Sequence, residues 1–156
     1  FLTKKTKIYI ASDHAGYKLK SIIIKEYFKD KLKFEIFDLG TDSEKSVDYP
    51  IYAKKLCKKI KKNNYGILIC GSGVGVSIAA NRFTHIRASL CNNEYDTKMT
   101  RKHNNSNVLC LSGRAFVKKK IFAMLGIYLT TKFEAGRHLR RIKKLWLCIK
   151  AFFLTI

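Results

Sequence analysis

The 156 residues, 47% of them hydrophobic, suffice for one good core and are too few for two comfortable ones, so a single domain spanning 1–156 is expected. One proline, nine glycines and 28% charged residues exclude a collagen-like or disordered chain. The 32 basic against 11 acidic side chains, a net charge of +21, would attract any polyanion, and nucleic acid is the first class to test against the pattern.

That pattern argues against it. Lys18, Lys20, Lys25, Lys54, Lys55, Lys58, Lys59 and Lys118 to Lys120 are spread over nearly every predicted helix, not gathered on one face with interleaved aromatics. They read as a solvated surface, and no nucleic-acid partner is expected. Cys57, Cys70, Cys91, Cys110 and Cys148 are an odd set without CxxC pairs, which disfavours disulfides and a zinc site and fits a reducing cytoplasm. Phe1 to Lys5 offers no apolar signal core, and no run reaches the roughly 18 apolar residues that span a bilayer.

Short apolar runs alternate with longer amphipathic segments, the pattern of strand–helix units around a parallel sheet. Lys7 to Ser12 is the first predicted strand. A helix over Tyr17 to Lys29 follows, with Leu19, Ile22, Ile23 and Phe28 as candidate core contacts, and Phe34 to Asp38 is the second strand. Tyr49-Pro50 opens a helix whose apolar side carries Tyr52, Ala53, Leu56, Cys57 and Ile60. The wholly apolar strand Gly66 to Cys70 runs into Gly71-Ser72-Gly73-Val74-Gly75 and a helix of small residues. Strands at Arg87 to Cys91 and Asn107 to Leu111 flank a helix through Tyr95 to Arg101, and two more helices follow. The apolar segment Trp146 to Ile156 is too short to span and is expected to pack as a helix or meet a partner.

Ligands of open parallel sheets bind beyond the carboxyl ends of the strands. Those ends carry Ser12-Asp13-His14-Ala15-Gly16, Asp38-Leu39-Gly40-Thr41, Cys70 with its glycine loop, and Ser112-Gly113-Arg114. Gly71, Gly73 and Gly75 at a strand-to-helix turn can aim backbone N–H groups at an anion. The spacing is neither the dinucleotide GxGxxG nor a P-loop, so NAD and ATP are disfavoured, and a tight turn without a ligand is the competing explanation. Cys70 ends its strand beside that loop and could act as a thiolate base, although a lone cysteine ending an apolar strand is more often a small buried hydrophobe. Arg137 and Arg141, four apart, project from one helix face and suit a phosphate; so basic a chain also carries surface arginines without function. His14 and the His103-Asn104 pair sit at element ends, where proton transfer and a capping role are both open.

Six ordered blocks carry a resemblance. Ile10-Ala-Ser-Asp-His-Ala-Gly16, Asp38-Leu-Gly-Thr41, Asp48-Tyr-Pro50, Gly66-Ile-Leu-Ile-Cys-Gly-Ser-Gly-Val-Gly75, Met99-Thr-Arg-Lys-His-Asn104 and Phe133-Glu-Ala-Gly-Arg-His138 resemble the B-type ribose-5-phosphate isomerases over about residues 7–145. The galactose-6-phosphate isomerase subunits share the fold and much of the loop pattern. The resemblance implies an α/β, three-layer Rossmann-like fold with a five-stranded parallel sheet and helices on both faces. It also implies a homodimer whose active sites are shared between subunits, with dimer or tetramer left open, and chemistry without metal or organic cofactor.

The resemblance further assigns roles. Cys70 corresponds to the base that moves a proton between C2 and C1, and His103 to the acid that helps open the furanose. Asp13 and His14 match residues that hold substrate hydroxyl and phosphate oxygens, and Tyr49 lines the site. The loop Gly71, Ser72, Gly73, Val74 and Gly75 matches the segment whose amides stabilise the enediolate. Asn104 matches a substrate-contacting amide, and Arg114, Arg137 and Arg141 a cationic clamp on the phosphate. Where some members carry a glutamate base just beyond the loop this chain has Val76, which favours Cys70; Asn105-Ser106 stands where Asp-Ala is common. Ribose 5-phosphate is the expected substrate, a hexose 6-phosphate the nearest alternative. A non-catalytic anion or nucleic-acid binder is the alternative of another class, and it predicts affinity that falls steeply with salt.

Overall fold

Five strands form where apolar side chains alternate between two covered faces. The computed structural model describes residues 5–146, and within them β1 (Thr6–Ser12), β2 (Phe34–Asp38), β3 (Tyr65–Cys70), β4 (Ala88–Leu90) and β5 (Val108–Ser112) pair in parallel in the order β2-β1-β3-β5-β4. Ile8, Ile10, Ile67, Ile69, Leu109 and Leu111 point to one face; Ala11, Leu68, Cys70, Val108 and Cys110 point to the other. Period-two alternation with both faces apolar is what a sheet covered on both sides demands. The expected three-layer α/β architecture is therefore the observed one.

Helices α1 (Tyr17–Ile22) and α5 (Lys118–Thr130) cover the first face through Leu19, Ile121, Met124, Leu125 and the fully buried Tyr128. On the second face, α2 (Tyr49–Cys57) and α3 (Val74–Ala80) contribute Ala53, Leu56, Cys57, Val76 and Ala80. α4 (Glu94–Asn104) packs on α5, and α6 (Gly136–Lys143) leans on α4. The helix predicted over Tyr17 to Lys29 ends sooner, passing into a π-helical turn at Ile23–Tyr27 that puts Ile23, Tyr27 and Phe28 in the core and leaves Ile22 half-buried. No helix among the described residues is long and apolar enough to cross a membrane. Phe1 to Lys4 and residues 147–156, with Cys148 and nearly all of the apolar tail, lie outside the described residues.

One lysine departs from the expected solvated surface. Lys20 on α1 is 1% exposed, and its Nζ meets Asp38 Oδ2 at 2.5 Å, while Asp38 Oδ1 accepts the Gly40 N–H at 2.9 Å. Desolvating an ammonium is tolerable only with a partner this close. The pair fastens the first helix to the carboxyl end of β2. Asp38→Asn should therefore lower stability by ~2 kcal/mol, less than for a fully buried pair because water reaches Asp38. Lys20→Met, which removes the buried charge itself, should lower it less. Urea unfolding of both variants checks the order; a greater loss from Lys20→Met would overturn it.

Candidate active site

The strand order reverses between β1 and β3, whose chain connections leave in opposite directions, and a crevice opens there at the carboxyl edge. Cys70 is the last residue of β3, 4% exposed, and the Gly73 N–H donates to its Sγ at 3.2 Å. The other described cysteines sit differently. Burial pushes the Cys57 thiol to about 12 and the Cys91 thiol to about 11, and raises that of Cys110 well above its ordinary value. Cys57 Sγ donates to the Ala80 carbonyl at 4.0 Å instead of accepting. Among the described residues, Cys70 is the cysteine whose sulfur receives a backbone N–H.

The loop after Cys70 is held from several sides. Gly73 adopts φ +78°, and a Cβ there would stand 2.9 Å from the Leu111 carbonyl and 2.6 Å from Leu90 Cδ1. Ser72 Oγ accepts the Val74 N–H at 3.3 Å, starting α3. The Gly113 N–H donates to the Cys70 carbonyl at 2.8 Å and the Arg114 N–H to Gly71 O at 3.2 Å, so the loop after β5 is tied to the loop after β3. The Arg114 guanidinium lies across Gly71, 3.3 Å from where a Cβ would be, and the Tyr49 ring lies against Gly75 at 2.8 Å from the equivalent point. Asp13 is buried, its Oδ1 accepting the Gly16 N–H at 3.0 Å. His14 Nδ1 lies 3.2 Å from the Val47 amide nitrogen and 3.3 Å from the Val47 carbonyl oxygen, so the Val47 backbone orients the ring. Asp13, His14, Tyr49, Cys70, the loop Gly71 to Gly75 and Arg114 are thus brought to one edge.

The remaining predicted residues are elsewhere. α4 leaves the carboxyl end of β4 and runs back across the sheet, and it is longer than predicted, so His103 and Asn104 fall in its last turn. Asn105 caps that turn in the left-handed conformation at φ 46°, its Oδ1 accepting from Arg101 at 3.2 Å. Asn104 lines a cavity with Arg87 and Ala88 at the start of β4, at the amino edge of the sheet. Cys70 pairs in register with Ser112 at the far end of β5. The length of β5, roughly 13 Å at about 3.3 Å per residue, therefore separates the His103 end of this chain from the Cys70 end. Arg137 and Arg141 are exposed on α6, which packs against α4, and belong with His103.

His103 has close neighbours that the sequence reading did not single out. Its ring stacks on His138 with centroids 4.2 Å apart and planes 8° from parallel. Glu134 Oε2 lies 3.8 Å from His103 Nε2 and 3.9 Å from His138 Nε2, and Oε1 meets Lys102 Nζ at 2.5 Å. The signal was within the motif Phe133 to His138, where Glu134 and His138 stand four positions apart; Arg137 alone was drawn from it.

Known proteins resemble this chain over most of its length. The ribose/galactose isomerase family pattern matches residues 8–145. Ribose-5-phosphate isomerase B of Escherichia coli is 37% identical over 139 residues, covering 88% of this chain and 92% of that protein. A ribose 5-phosphate isomerase structure from Thermotoga maritima superposes with a TM-score of 0.85 at 48% identity, covering 89% of this chain and 96% of that one. The Mycoplasma genitalium ribose-5-phosphate isomerase B, solved with bound ribulose-5-phosphate, gives a TM-score of 0.84 at 40% identity over 95% of this chain and 99% of that one.

Proposed function

Because this chain belongs to the ribose/galactose isomerase family, we propose that it interconverts ribose 5-phosphate and ribulose 5-phosphate through an enediolate. The observation that carries the reading is Cys70 at the strand switch point with the Gly73 N–H on its sulfur and a glycine loop beside it. In the open-chain aldose the Cys70 thiolate takes the C2 proton, and the C–H electron pair forms the C1–C2 double bond while the C1 carbonyl oxygen takes the negative charge. Amides of the loop stabilise that oxyanion. The thiol then returns the proton to C1, the C2 hydroxyl loses its proton as C2 becomes the carbonyl, and O1 ends as a hydroxyl. His14 and Arg114 are placed to hold polar oxygens at the same edge.

Ribose 5-phosphate is chiefly a closed ring, so an acid must also reach the ring oxygen, which is two bonds from C2. His103 of the same chain stands a strand's length away. We therefore place two copies head to edge, so that His103, Asn104, Arg137 and Arg141 of one complete the Cys70 edge of the other, one acting as ring-opening acid and the arginines as phosphate clamp. The exposed apolar side chains Tyr49, Ile51, Val74 and Ile78 on α2 and α3 suit such an interface. A cytoplasmic enzyme acting as one isomerase domain is consistent with the free thiols. The test is turnover of ribose 5-phosphate beside galactose 6-phosphate in metal-free buffer. Pentose turnover is expected; hexose turnover alone would reassign the substrate, and none of either would favour the anion binder.

A further inference from the structure

His138, stacked on His103, and Glu134, whose carboxylate lies between their Nε2 atoms, have no part in the steps above, and the turn that carries them is strained. Ala135, between Glu134 and α6, holds φ 55° and ψ −125°, a region costly for any residue with a Cβ. The Glu134 N–H donates to the Lys102 carbonyl at 3.0 Å, pinning this turn to α4 beside His103. The three donor atoms lie within 4.8 Å of one another and so resemble a metal ligand set. A metal is a poor fit. The lone pairs of two imidazoles lie in their ring planes, and planes 8° from parallel and about one stacking distance apart do not converge on one ion. Lys102 on Oε1, with Arg137 and Arg141 on the same helix as His138, adds positive charge where a cation would sit.

We propose that Glu134 and His138 are positioning residues for His103, the ring-opening acid: the buried ring fixes the plane of the exposed one, and the shared carboxylate fixes the direction its Nε2 edge faces. Geometry sets the division of labour. His138 is 8% exposed in its side chain and His103 37%, so only His103 can meet a substrate. Burial, helped by His103, Arg137 and Arg141, lowers the pKa of His138, which leaves that ring neutral; the hydrogen bond from Lys102 lowers that of Glu134, which keeps the carboxylate charged. A charged Glu134 thus stands 3.8 Å from His103 Nε2 and fixes the direction in which that edge of the ring faces.

This inference rests on the acid role given to His103, so its test separates ring opening from isomerisation. In a Cys70→Ala background no C2 proton moves, yet the enzyme should still speed exchange between the α and β anomers of ribose 5-phosphate, read by magnetisation-transfer NMR at C1. Adding His103→Ala should return exchange to the buffer rate. Adding Glu134→Gln should lower the enzyme's contribution at least about tenfold while the Kd for ribose 5-phosphate stays within about twofold, and Glu134→Asp should recover part of it. Glu134 is 42% exposed, so none of this rests on a folding defect. Exchange in Glu134→Gln equal to its parent, with His103→Ala still inactive, overturns the positioning role alone. Exchange unaffected by His103→Ala, or never accelerated by the Cys70→Ala protein, overturns the acid assignment and the positioning role together.

Discussion

Cys70→Ala lowers kcat for ribose 5-phosphate by at least about a thousandfold, the scale on which a positioned base contributes, while the melting temperature changes little. The substitution leaves a methyl group where a small buried sulfur stood, so packing is nearly kept and the base is gone. His103→Ala is expected to lower kcat by at least about a hundredfold for a different reason, loss of the ring-opening proton donor. The informative experiment mixes the two. If each site takes Cys70 from one copy and His103 from the other, a mixed dimer has one site with both defects and one with neither. Equal amounts of the two inactive proteins, unfolded and refolded together, should then recover about one quarter of wild-type activity, since half of the random dimers are mixed and each carries one intact site of two. Recovery no greater than the sum of the separate variants would place His103 and Cys70 in the same chain's site and sink the shared arrangement, while leaving the base assignment standing.

The second large effect concerns a glycine. Gly73→Ala would set a Cβ 2.9 Å from the Leu111 backbone and 2.6 Å from Leu90 Cδ1 at φ +78°. Neither a left-handed alanine nor a collision with strand backbone is relieved by rotating a side chain, so a loss of about 2–4 kcal/mol is expected. The displaced amide would also leave Cys70 Sγ, so kcat should fall in the protein that remains folded. Gly126→Ala is the control of opposite sign. It lies inside α5, where the nearest atom to a new Cβ is the Tyr27 hydroxyl at 3.7 Å, and removing a flexible helix glycine should stabilise by about 0.5–1 kcal/mol. Denaturant midpoints for the pair decide the matter; a Gly73→Ala midpoint at or above that of the wild type would mean that the tight fit around Gly73 does not constrain the loop.

The two variants also mark what each level of structure contributes. The glycine loop after Cys70 was legible because a turn of that kind is a local event, and the residues that need small or left-handed backbone stand consecutively in the chain. The strands were legible for the same reason: Ile67 and Ile69 face α1 and α5 while Leu68 and Cys70 face α2 and α3, and this alternation is written into neighbouring positions. Strand β2 was placed at Phe34–Asp38 by its pattern alone. Six spaced motifs carried the family resemblance and with it the chemistry.

Lys20 was not legible, because whether a lysine on an amphipathic helix is solvated or buried depends on what faces it. Here Asp38 does, eighteen positions later and across a strand crossover. Nor did motif order reveal that the predicted site residues divide into two groups. The sequence by itself determined the strands, the glycine loop and that the candidate residues end strands and helices, since these follow from local pattern. Only the tertiary structure decided which edge of the sheet each reaches. That is set by the direction of α4 back across the sheet and by its extension to Asn104, and it is why His103, Glu134 and His138 assemble a strand's length from the cysteine they are proposed to serve.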